Sequence, residues 1–235
     1  MEISNSPGRA LVDIFVDPAK AVGLAKERPA SLWLPLVLMI VVMVATLAWY
    51  YGTVDFGWLR DQMLNAGNVP ADQREQAAKF MTPNIMMISS IVGGGLGVVI
   101  SYLIQALYFS LAASTIGDKE FRYSQWFSLA TWANFPQILG FVAMALAWGF
   151  AASRQVDPGQ LSVLSFNYLF FHLQMGDKWY YFLNSLSLVT FWSMGLFALG
   201  YARWTGTTFQ RGLVFAAIPY VAWYGLYAAK IIIWG

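Results

Sequence analysis

The stretch LWLPLVLMIVVMVATLAWYY, residues 32–51, runs for twenty residues without a charged side chain. As an α-helix at ~1.5 Å per residue it reaches ~30 Å, the thickness of a bilayer's hydrocarbon core. Pro29 sets its entrance, and Pro35 sits one turn inside. Trp33 marks one membrane interface, and Trp49, Tyr50 and Tyr51 mark the other.

The same deficit of charge recurs along the chain. Only 11% of the 235 residues are charged, 58% are hydrophobic and 17% are aromatic. A soluble domain carries about 25% charged residues. The charge-free runs are 29–54, 80–117, 123–153, 158–176, 179–202 and 212–229. Apolar runs of roughly 18 residues or more are candidate membrane spans. A soluble globular domain, a disordered chain and a collagen-like chain are all excluded.

These runs predict an all-α polytopic membrane helix bundle. Five transmembrane helices are expected at about 32–51, 84–115, 124–150, 183–203 and 212–233, with Pro136 and Pro219 inside two of them. The second exceeds one bilayer crossing, so it should tilt or protrude. The run 159–175 holds Gln160, Ser162, Ser165, Asn167, His172 and Gln174, too polar for a good span, and is read as an interfacial or re-entrant segment. Residues 1–31 form a cytosolic tail with an N-terminal interfacial amphipathic helix, and residues 32–235 form the membrane domain. In the former, Leu11, Ile14, Phe15, Pro18, Val22 and Ala25 recur at helical spacing beside Arg9, Lys20, Lys26 and Arg28. Asp17-Pro18 is a helix start, with Asp17 as cap and Pro18 at the first position. Phe15, Asp17 and Pro18 therefore mark a segment lying in the headgroup layer, or else a short helix packed under the bundle.

Five spans put the termini on opposite sides. With residue 1 inside, the short inside segments hold eight Lys and Arg, Lys119 among them, against six outside. The density favours a cytosolic N-terminus and an external C-terminus. No cleavable leader is expected, because the first apolar run begins too far in.

Chemistry-bearing residues are scarce. There is no cysteine and one histidine, His172, so no metal site, no catalytic constellation and no cofactor is expected. No basic groove suggests nucleic acid. The expected spans hold no ionisable side chain away from their ends, which argues against a proton pump. Ser89, Gly93, Gly97 and Ser101 fall at four-residue steps, a smooth stripe suited to close helix packing within the chain or in a homo-oligomer. Gln105, Asn134 and Gln137 are the candidates for a neutral polar cavity. Pro136 removes the helical partner of the Trp132 carbonyl, which Asn134, Gln137 or a water would then satisfy.

Two connections look alike. Gly117-Asp-Lys-Glu-Phe121 followed by Ala133-Asn-Phe-Pro136 parallels Gly206-Thr-Thr-Phe209 followed by Ala216-Ala-Ile-Pro219. With Ile14-Phe-Val-Asp-Pro18, Arg28-Pro29, Leu34-Pro35 and Gly200-Tyr201, the order and spacing over residues 9–233 resemble the Yip family, the Rab-interacting five-span membrane proteins, in its bacterial branch. The resemblance implies five helices, a cytosolic N-terminus, no catalysis and a role in organising membranes or partners. Membrane lipids and protein partners not yet identified are the expected contacts, and the bacterial inner (plasma) membrane the expected location. A small transporter or channel with a neutral polar cavity is the alternative.

Overall fold

The structure, a computed structural model, describes residues 3–115 and 121–234. Gly117 and Lys119 lie outside the described residues. The fold is all-α. Its helices are α1 (Pro7–Val16), α2 (Pro18–Glu27), α3 (Trp33–Thr53), α4 (Phe56–Ala66), α5 (Ala71–Phe80), α6 (Pro83–Thr115), α7 (Tyr123–Asn134), α8 (Ile138–Gly149), α9 (Tyr180–Ser185), α10 (Leu188–Thr205) and α11 (Phe209–Trp234).

Among the described residues four helical stretches are long and apolar enough to cross a membrane: Pro29–Thr53, Pro83–Ser114, Tyr123–Gly149 and Phe209–Trp234. The expected fourth span, 183–203, is not one continuous helix. α9 ends at Ser185 because Leu186 turns extended, with ψ 118°. The Phe166 amide donates to Leu186 O at 2.8 Å and the Leu188 amide to Leu164 O at 3.1 Å. Backbone pairing with 164–166 therefore delays the start of α10 to Leu188. The segment 159–175 forms turns and one five-residue π-helical turn, Asn167–Phe171, far short of a crossing.

The chain divides into two compact units. The first comprises Met1–Ile40, Leu96–Gln137 and Val189–Leu226. Its core is aromatic. Phe109 stacks on Phe197 with centroids 4.7 Å apart, and Trp126 lies 5.1 Å from Trp204. Two glycines let the helices around this core approach. A Cβ on Gly200 would fall 2.4 Å from Leu129 Cδ1, and one on Gly212 would fall 2.4 Å from the Ala198 carbonyl oxygen. These are α10 contacts to α7 and α11.

The second unit comprises Val41–Gly95, Ile138–Leu188 and Tyr227–Gly235. Tyr50 and Tyr51, expected as interfacial anchors, turn inward and are buried. The Tyr50 ring lies 5.1 Å from that of Trp148, whose indole N–H donates to Thr53 Oγ1 at 3.0 Å. Arg154 covers the Trp148 ring at 4.5 Å, a contact that satisfies a cation at an aromatic face. Asp55 caps α4 by accepting from the Trp58 amide at 3.1 Å and also accepts from Gln155 at 2.9 Å. The Gln155 bond first, and the Trp58 bond second, hold the Asp55 carboxyl below its ordinary pKa. Trp33 and Trp49 are exposed.

Candidate functional site

The N-terminal segment folds as two helices rather than one. Non-helical backbone at Asp17 (φ −146°, ψ 68°) separates α1 from α2, and Pro18 takes the first position of α2. Asp17 makes no cap hydrogen bond. Its carboxylate instead lies 3.3 Å from Lys20 Nζ. Phe15 points inward, with ring centroids 5.5 Å from Trp192 and 6.1 Å from Phe135. α2 is buried along Ala21-Val22-Gly23-Leu24-Ala25. Its carbonyls are tied to the unit's core: Gln125 Nε2 donates to Lys26 O at 2.9 Å and Trp204 Nε1 to Val22 O at 3.3 Å. Trp132 Nε1 adds a bond to Ser31 Oγ at 3.0 Å. Of the two alternatives for this segment, the packed helix is the one observed. Small residues at consecutive positions let α2 be enclosed on all sides, which an amphipathic pattern does not anticipate. Asp13 is buried beneath α1, bonded by Ser4 Oγ at 2.8 Å and Arg9 Nε at 2.9 Å. What α1 leaves exposed is Val12, Val16 and the Arg9 head.

The three amides separate into two places. Asn134 Nδ2 donates to Gln105 Oε1 at 2.8 Å and to Ala130 O at 2.9 Å. Gln137 Nε2 turns instead to Ser193 Oγ, at 3.4 Å. None of them serves the Trp132 carbonyl. A 3-10 turn at 135–137 lets the Phe135 amide donate to it, so the backbone repairs its own break. Pro219 is handled differently. It lies inside an unbroken helix and deprives Phe215 O of its helical donor. The Tyr108 hydroxyl supplies one, at 2.9 Å. In apolar surroundings an unmet carbonyl is costly, so such a donor is required.

Beside Pro219 lies a cavity of about 270 Å³, lined by Ser101, Ile104, Gln105, Pro219, Tyr220 and Trp223, with Tyr224 at its edge. The Tyr220 hydroxyl is buried with no hydrogen-bond partner among the described residues. Gln105 lines this mainly apolar cavity, and Asn134 bonds to Gln105 without lining it. Gln137 does not line it. Sequence reasoning missed Tyr108 and Tyr220, although a proline inside a span signals that the carbonyl four residues back needs a donor from elsewhere.

Among the described residues the small-residue stripe is open over most of its length. Ser89, Gly93 and Gly97 are exposed and Ser101 half-buried, and a Cβ at Gly93 or Gly97 would meet nothing within 4 Å. The contact is one residue around the helix: a Cβ on Gly94 would lie 3.3 Å from Met43 Sδ, and one on Gly95 3.6 Å from Met43 Cε.

These features sit in one long stretch of chain. The model of the Yip1 domain matches residues 12–229. The chain belongs to the Yip1 family. The match takes in α1 from Val12 onward, the first three candidate spans, the fourth as far as Ala229, and the Gly200-Tyr201 pair. In this Yip1 domain Gly200 admits Leu129, and Tyr201 is buried with its ring 5.0 Å from Phe215. No curated protein and no solved structure matches the chain. With its apolar helices, this Yip1-family protein is an integral membrane protein.

Proposed function

We propose that this protein is a non-enzymatic membrane organiser that holds lipid and protein partners through its N-terminal helix pair. The observation that carries this is the way α1 is mounted. Its inner face is fixed by Asp13, Ile14 and Phe15, while Val12 and Val16 stand exposed one helical turn apart beside Arg9. A rigid apolar pair with a basic neighbour suits a headgroup layer or a partner helix.

The accompanying topology is five spans, with α10 as the fourth in chain order. Its 18 residues reach ~27 Å. Ten of them are buried, which lets a spanning helix be less apolar than one facing lipid. The N-terminus is cytosolic and the C-terminus external, in a bacterial inner membrane; a C-terminal reporter active only in the cytosol would overturn this. The open Gly93–Gly97 face is the contact surface for a second copy.

Photo-crosslinkers at Val12 and Val16 in native membranes test the organiser reading. Lipid or specific protein adducts are expected there and not from a crosslinker at the buried Leu24. A second reading, a small transporter for neutral polar solutes, is favoured by the cavity at Gln105 and its unpartnered Tyr220 hydroxyl. Saturable, selective solute flux in proteoliposomes, abolished by filling that cavity, would replace the first reading with the second.

A further inference from the structure

A second cavity, of about 380 Å³, lies in the second unit, near the low end of the ~300–1,000 Å³ range of small-molecule sites. Tyr51, Tyr180, Tyr181, Met63, Met175 and Asn184 are among its walls. The Tyr180 and Tyr181 rings stand at 81° to each other, 5.1 Å apart, so they form two perpendicular sides. No lysine, arginine or histidine lines it.

Behind this wall sits Asp157, only 3% exposed. Its Oδ1 accepts from the Tyr180 hydroxyl, from the Gly159 amide at 2.8 Å and from the Gln160 amide at 3.3 Å. No hydrogen bond reaches Oδ2 and no cation pairs with it among the described residues. Arg154, three residues away, is committed to the Trp148 ring and carbonyl. The turn is built to bring the carboxylate here: a Cβ on Gly159 would fall 2.0 Å from Tyr180 Oη, so only glycine lets the 157–160 turn close under the ring. Burial first, and the Asp157 hydrogen bond second, raise the Tyr180 pKa, so the phenol stays the neutral donor of that bond. Buried charges are normally paired.

We propose that the cavity before Asp157 binds an organic ammonium group, quaternary or primary, carried either by a lipid headgroup or by a free amine. Aromatic walls attract such a cation through their ring faces, methionine sulfurs add polarisable contact, and the carboxylate one hydroxyl away supplies the charge the site lacks. The inference is independent of the N-terminal reading above, since it uses none of the same residues.

Calorimetry on the purified full chain in an uncharged maltoside tests it, with choline and its neutral isostere 3,3-dimethylbutan-1-ol as probes. Nanodiscs of phosphatidylcholine or phosphatidylethanolamine against phosphatidylglycerol provide the lipid arm, read by native mass spectrometry. Choline binding with the isostere at least tenfold weaker assigns the site to free amines. Retention of zwitterionic lipid over phosphatidylglycerol, without choline binding, assigns it to a headgroup. Whichever probe binds should bind at least tenfold more weakly to Asp157→Asn and severalfold more weakly to Tyr181→Leu. Tyr181 is 58% exposed, so its replacement keeps the test valid if Asp157→Asn does not fold. Equal binding of choline and its isostere, binding unchanged in Tyr181→Leu, or no preference for any ammonium-bearing probe overturns the proposal.

Discussion

Alanine in place of Gly212 and of Gly97 should move stability in opposite directions. Both glycines lie in helix interiors, where alanine is favoured by about 1 kcal/mol. At Gly97 nothing lies within 4 Å of the new methyl, so the propensity gain stands alone. At Gly212 the methyl carbon would fall 2.4 Å from Ala198 O and 3.2 Å from both Ala198 C and Ala202 Cβ. Ordinary carbon–oxygen contacts begin near ~3.3 Å, so α10 and α11 must separate by roughly 1 Å. Overpacking of this kind costs about 1–3 kcal/mol. Because the obstacle is backbone and cannot rotate away, the cost belongs at the upper end and exceeds the gain, leaving a net loss of about 2 kcal/mol. At about 2–4 °C per kcal/mol for a chain of this size, Gly212→Ala should unfold several degrees below wild type and Gly97→Ala a few degrees above it. Thermal unfolding of purified protein in detergent, followed by near-UV signal from the aromatic core, reads both. A Gly212→Ala protein as stable as wild type, or a Gly97→Ala protein as damaged as Gly212→Ala, would refute the packing described for α10 and α11.

Tyr108→Phe removes the donor to Phe215 O and should cost about 1–3 kcal/mol, the penalty of an unmet buried carbonyl. In a Pro219→Ala background, where residue 219 regains its own N–H, the loss should largely disappear; an undiminished loss in the double-mutant cycle would break the assigned link. Asn134→Leu, which strips the bond to Gln105 and adds bulk behind the cavity, should destabilise the first unit by about 1–3 kcal/mol, whereas Gln137→Leu, losing only a 3.4 Å bond to Ser193, should cost less in the same unfolding assay. Gly97→Leu should raise monomer stability slightly, as Gly97→Ala does, while weakening any self-association seen by detergent-corrected sedimentation, because the side chain projects into open space; loss of monomer stability would mean that the face is covered within the chain.

Much of the architecture was legible because membrane burial writes itself into composition. The run 32–51 has no charge, and α3 forms there with Pro29 and Trp33 at its entrance. The run 80–117 likewise contains α6. The span expected at 183–203 was misplaced because helix and extended backbone are equally compatible with an apolar run, and what ends α9 is pairing with residues 164–166, far away in sequence. Asp17 looked like a cap by residue type, but its backbone turned away from capping geometry. The stripe from Ser89 to Ser101 shows the same limit: four-residue spacing places side chains on one face, yet cannot say whether that face meets a helix or nothing.

The sequence by itself determined that this chain lives in a membrane as helices, since uncharged runs of that length have no other stable solution in water or lipid. It also carried the order of motifs by which the Yip1 family is recognised. Only the tertiary structure decided how each proline's lost bond is met, which glycines are close approaches and which are open, and where Asp157 lies. Those are properties of atoms brought together from distant positions, and a span's composition is degenerate with respect to its rotation and its neighbours. The scarcity of charge that makes the helices easy to find leaves the buried Asp157 behind its tyrosine wall to be found by packing alone.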